Sequence, residues 1–184
     1  FEANLSDKKN SIAHLFAKFN SDLKVKNFDY SNFYVSFQKV TNDTYLKVFD
    51  TNLQETQLKP SNSSGLISEA KIALNDSKNN FSAGAKVFEN LGLSNNDRYQ
   101  YILPYYNYER SIKSNYDFGK INFFSTGNND LSNTNKLKSS IINDLKFESY
   151  DYISNFGIVN NLNIFLKNSN TVGKNDSNYK SSPQ

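Results

Sequence analysis

The run at positions 144–156, DLKFESYDYISNF, repeats the run at 22–33, DLKVKNFDYSNF, with Ile153 as the inserted residue. A chain that carries one run near each end has to place it twice in one fold. Ahead of the first copy, Ile12, Leu15, Phe16, Phe19 and Leu23 fall at i, i+3, i+4, i+7 and i+11; after it, Phe33, Val35 and Phe37 alternate with Tyr34, Ser36 and Gln38. The first spacing predicts one face of a helix and the second a strand. Each copy therefore reads as a last helical turn that runs into an aromatic strand. Leu137, Ile141 and Leu145 stand where Leu15, Phe19 and Leu23 stand, so the duplication extends to the helical core face. A fainter echo, Asn115-Tyr116-Asp117-Phe118, lies between the copies.

The rest of the chain is parsed against that unit. Ser6 and Asp7 suit the start of the first helix. Thr41-Asn42-Asp43 reads as a turn, and 44–49 as a strand returning antiparallel to the one before it. The polar stretch 50–64, with Pro60, is a loop with room for a short edge strand at Gln57-Leu58. Two helices are predicted next, at 66–74 and at 82–91, the second ending at Gly92. Strands follow at 97–108 and 112–124, and Pro104 pushes the former towards an edge or a bulge. A third helical region covers 133–146, and strands at 147–153 and 157–166 complete the order α-ββ-αα-ββ-α-ββ. This is an α+β fold, with helices packed on antiparallel β-meanders and internally duplicated α-β-β units. It forms one domain over 1–167, and 168–184 reads as a polar linker or disordered tail.

Composition narrows the chemistry. The absence of Cys excludes disulfides, thiolate metal sites and a Cys nucleophile. No apolar run approaches the roughly 18 residues of a spanning helix, and no charged-then-apolar leader precedes Phe1. The expectation is a soluble chain that meets a membrane only through an anchor outside it. Twelve tyrosines and fifteen phenylalanines supply all the aromatic rings and argue against disorder. With about 30 Asn, many Ser and Lys, scarce Arg, Gly and Pro, and no Cys, Trp or Met, the chain resembles in composition the ectodomains of mollicute (mycoplasma-type) surface lipoproteins and adhesins. The resemblance implies a place on the extracellular face of the cell membrane, anchored there or secreted. It also implies contact with protein or glycan on another cell surface, or with other copies of the same assembly.

Candidate chemistry is sparse. His14 is the only histidine and has no second His or Cys to complete a metal site. Asp29, Asp117 and Asp151 each sit between two aromatics, which reads as core-facing rings with a solvated or turn-capping carboxylate. No nucleophile elbow, phosphate-binding loop, dinucleotide fingerprint or HExxH run occurs. The stretch 99–108 carries Tyr99, Tyr101, Tyr105, Tyr106 and Tyr108 at both parities and is flanked by Arg98 and Arg110. Some of these rings are expected at an interface, and these seven residues form the candidate binding site. No Lys or Arg is interleaved with the rings, so no nucleic-acid partner is expected. The sequence thus predicts a non-enzymatic binding or adhesion module without cofactor or metal. The alternatives are a structural subunit of a surface filament and, less favoured, a small metal-dependent hydrolase using Asp29, Glu148 and Asp151.

Overall fold

In the computed structural model, which describes residues 2–5, 13–49, 53, 56–94, 98–113, 118–132, 136–173 and 180–183, strands account for nearly all regular structure. They are β1 (Glu2–Leu5), β2 (Ala13–Asp22), β3 (Tyr30–Val40), β4 (Gly65–Asn75), β5 (Asn79–Asn90), β6 (Tyr99–Lys113), β7 (Gly119–Ser132), β8 (Lys136–Ser149), β9 (Tyr152–Ile153), β10 (Val159–Asn160), β11 (Asn163–Gly173) and β12 (Lys180–Pro183). The sole helix among the described residues is a single turn, α1 (Tyr45–Val48). Ten strands form one sheet in the order β1-β2-β3-β4-β5-β6-β7-β8-β11-β12, and β9 pairs with β10 separately. Every pairing is antiparallel.

The α+β expectation is overturned. Helices predicted over the first copy, 66–74, 82–91 and 133–146 are the strands β2, β4, β5 and β8. The reason lies in the spacing. Leu15 and Phe19, like Leu137, Ile141 and Leu145, are four apart, and four is an even number. Such residues share a face in a strand as readily as in a helix. The members that supported a helical period, Phe16 and Ile142, point to the opposite face of the sheet. The first copy therefore spans the connection from the end of β2 into the start of β3, the second runs from within β8 through β9, and no duplicated helix-plus-hairpin occurs among the described residues. Ser6, Asp7, Ile12 and Asp117 lie outside the described residues.

The converse error occurs at 44–49, expected as a strand. Asn42 Oδ1 accepts from Thr44 N at 2.8 Å and from Thr44 Oγ1 at 2.7 Å, and Tyr45 N donates to Asn42 O at 3.1 Å. This side-chain turn winds the chain into α1, which buries Tyr45 and Leu46. Residues expected to begin a polar tail continue instead as the second half of β11, Asn168 opposite Asn143 and Val172 opposite Ser139.

Cross-strand register sorts the side chains into two unlike faces. Paired residues share a face, so the row Phe33, Ile72, Ala83, Tyr106, Gly127 and Ile141 runs across six strands on one side. That side also carries Phe19, Val35, Leu74, Phe81, Val87, Phe123, Leu131, Leu145, Phe147, Ile164 and Leu166. The other side carries most of the charge, Lys18, Glu69, Lys71, Lys86, Glu109, Asp130, Lys138, Asp144, Lys146, Glu148 and Lys167, together with the apolar Phe16, Ile67, Phe88, Ile102, Phe124, Ile142 and Phe165. Charged groups on the apolar side are confined to Lys39, Glu89 and Arg110 among the described residues of the ladder.

Among the described residues neither face is covered by a second layer. The one closed core lies at the end of the sheet where β3 crosses to β4: Phe16, Val40, Tyr45, Leu46, Leu53, Leu66 and Leu91, with Phe49 and Leu58 against it. Pairing of β3 with β4 stops at Ser36–Glu69. Beyond it Gln38 bridges the gap, its N–H donating to Ser68 Oγ and its Oε1 accepting from Ile67 N. The connection carrying α1 packs at this opening. The chain exposes 13070 Å², whereas a compact protein of its 21.0 kDa exposes about 9,000 Å².

Candidate functional site

Strand β6 holds the residues that the sequence singles out, and it is a central strand of the sheet. Between Ile102 and Tyr105 it carries one residue more than either neighbour, since Gly84 to Lys86 on β5 and Asn128 to Asp130 on β7 span the same step. This is a β-bulge at Leu103-Pro104, where the missing N–H of proline does not interrupt the ladder. The extra residue resets the parity. Tyr99 and Tyr101 before it, and Tyr106, Tyr108 and Arg110 after it, lie on the apolar face, while Tyr105 stands alone on the polar face. A single contact surface made of all seven candidates is thereby excluded.

Each of these side chains has a distinct environment. Arg98 donates from Nε to Glu89 Oε1 at 2.8 Å and from its terminal nitrogen to Asp43 Oδ1 at 2.6 Å, tying the start of β6 to β5 and to the segment before α1. The hydrogen bond from Arg98 holds the Asp43 carboxyl below the usual carboxylate range, and the same bond raises the guanidinium above its own. Glu89, only 6% exposed, also accepts from Lys39 Nζ at 2.9 Å and from Tyr99 Oη at 3.0 Å. Tyr101 stacks on Tyr99 with ring centroids 6.1 Å apart. Arg98 and Tyr99 are thus structural anchors of the closed end. The sequence gives a weak signal of this, because Glu89 is the one acid in an otherwise apolar row.

The two adjacent tyrosines lie over glycines in opposite directions. On the polar face Tyr105 crosses Gly84 of β5 and donates to Glu69 of β4, with Lys86 Nζ 5.1 Å from its ring centre. On the apolar face Tyr106 lies over Gly127 of β7 and shares a hydrogen bond with Ser125 at 3.1 Å, and Ser125 Oγ donates to Asn143 Oδ1 at 2.8 Å. Tyr108 donates to Asn79 Oδ1 at 3.1 Å and meets Phe123 edge-on. Rings placed over strand glycines replace the missing side-chain contacts.

His14 is buried, shares a hydrogen bond with Tyr45 Oη at 2.6 Å and stacks on Phe16. Asp29 is an exposed turn residue, and Asp151 accepts from Asn161 Nδ2 at 3.2 Å. Among the described residues no three His, Asp or Glu side chains are grouped to hold a metal.

What the register does assemble is a surface. Some large apolar side chains on the apolar face are exposed, from 37% at Leu145 to 56% at Phe19, while Phe33, Val35, Leu74, Phe81, Phe123 and Phe147 are half-buried by lateral neighbours. The polar face is hollowed. One cavity of about 460 Å³ is lined by Lys71, Asn80, Ser82, Glu109 and Thr126, and another of about 300 Å³ by Lys86, Tyr105, Asn128 and Ser140. Consecutive strands line each hollow together. No known protein family, curated protein or solved structure matches the chain.

Proposed function

We propose that the chain forms part of the wall of a transmembrane β-barrel, with its apolar face against lipid and its polar face lining an aqueous interior. The observation that carries this reading is the segregation of side chains by face across eight consecutive strands. A water-soluble sheet protein covers its apolar face with a second layer; a membrane barrel leaves it outward and keeps charge inside. Strand lengths agree with a membrane. Strands of 10–15 residues reach about 33–50 Å, and at a barrel tilt of about 40° they rise through about 25–38 Å, the height of a hydrocarbon layer and its borders. The up-and-down connectivity is that of a barrel wall. No helix among the described residues is long and apolar enough to cross a membrane.

The test is infrared dichroism of the protein in oriented bilayers. The expected result is strands tilted about 35–45° from the membrane normal that resist an alkaline wash. Strands released by that wash, or lying flat on the bilayer, would refute the proposal.

A second reading is a non-enzymatic binding module whose apolar face meets another protein or a glycan. It is favoured by the stripe of Tyr99, Tyr101, Tyr106 and Tyr108, whose rings suit an interface. Saturable binding by a detergent-free monomer, lost in Tyr101→Ala, would select it over the membrane reading.

A further inference from the structure

Beyond Ser149 the β8–β11 hairpin continues as a separate two-stranded ribbon, β9 and β10, whose tip carries the most exposed large apolar side chain among the described residues. Phe156 at its tip is 92% exposed, and Tyr152, Ile153, Ile158, Val159 and Leu162 are each more than half exposed. From Tyr152 to Leu162 the sequence YISNFGIVNNL carries no charge. We infer that this hairpin inserts its tip into the interfacial layer of the bilayer beside the wall, so that Phe156 and Ile158 fix the depth at which the sheet sits.

Three features favour lipid as the occupant. First, the tip pairs part of its own backbone. Ser154 N donates to Ile158 O at 2.8 Å, Gly157 N to Ser154 O at 2.9 Å, and Ile158 N to Ser154 Oγ at 3.1 Å. Gly157, at φ 77°, supplies the left-handed step that closes this turn. A loop whose polar backbone is paired internally can leave water at low cost, which is the condition for entering a membrane. Second, the ribbon is continuous with the apolar face, since Ile164 and Phe147 lie on that face immediately inside it. Third, its polar residues are small and uncharged, Asn155, Asn160 and Asn161. Such groups tolerate the headgroup region, and the aromatic Tyr152 and Phe156 are of the kind that gathers there.

This inference rests on the membrane reading, and one experiment separates the two. The chain contains no tryptophan, so Phe156→Trp and Ile141→Trp each give a single reporter, one on the hairpin tip and one on the wall. The proteins are placed in phosphatidylcholine vesicles containing lipids brominated near the headgroup or deep in the acyl chain. Quenching of the Phe156→Trp variant by at least about half, strongest with the shallow bromines, is the expected result. Strong quenching at the wall with none at the tip, accompanied by ready quenching of the tip by aqueous acrylamide, overturns the hairpin inference and leaves the wall reading intact. Absence of lipid quenching at both positions overturns both. Phe156 touches almost nothing in the fold, so its replacement leaves folding unchanged.

Discussion

Two glycines show how tightly single residues are fitted into a sheet with no layer above it. A Cβ added at Gly127 would collide first with the Tyr106 ring, its Cζ at 2.9 Å and Cε1 closer still. A Cβ added at Gly84 would meet Tyr105 Oη at 2.8 Å and also the backbone oxygen of Ala70, which cannot move aside. The two positions should therefore differ in rescue. Gly127→Ala is expected to cost about 1–3 kcal/mol and to lose most of that cost in a Tyr106→Ala background, where the obstructing ring is gone. Gly84→Ala should cost at least as much and keep its cost in a Tyr105→Ala background. Urea unfolding of the four variants and the two tyrosine controls measures both differences as double-mutant cycles. Equal rescue at the two sites would contradict the placement of the rings.

Among the elements, β6 depends most on one feature, the bulge at Leu103-Pro104. Leu103 is 45% exposed, so Leu103→Ala should change stability by no more than about 0.5 kcal/mol. Deleting Leu103 is another matter, because it turns Tyr99 and Tyr101 to the polar face and separates Tyr99 from Glu89. Loss of that contact and of the matched faces is expected to destabilise by more than about 3 kcal/mol, read from urea unfolding beside Leu103→Ala. The same element shows what the sequence could disclose. Pro104 in an aromatic run indicated a bulge or an edge, and the tight turn around Asp76, where Lys78 N and Asn79 N donate to its carboxylate, was visible as a polar break. Segment types were less visible. Leu15, Phe19 and Leu23 fit both periods because their spacing is a multiple of two and close to one helical turn. The deciding information lies in partners distant in sequence, such as Val35 opposite both Phe19 and Ala70. The division of the candidate residues between two faces was hidden for the same reason: parity across 99–110 cannot be counted without knowing where the extra residue sits.

For the molecule as a whole, the two faces make opposite predictions for one substitution. Lysine at Ile141 faces lipid in the proposed orientation and is expected to cost about 2–4 kcal/mol if it lies near the bilayer midplane. Lysine at Ser140, on the charged side, should cost less than about 0.5 kcal/mol. Urea titration of the folded protein in vesicles measures both; equal costs would remove lipid as the covering of the apolar face.

The neighbour-to-neighbour order of the sheet also bears on how such a molecule can change over generations. In β2 to β8, each strand bonds only the strands before and after it in sequence. A recombination event that adds or removes a whole hairpin leaves every later strand running in its former direction, with its loops at the same end and its apolar face on the same side. Loss of a single strand inverts everything downstream. Rearrangements that preserve the arrangement of faces and loop ends are therefore those that change the strand number by two.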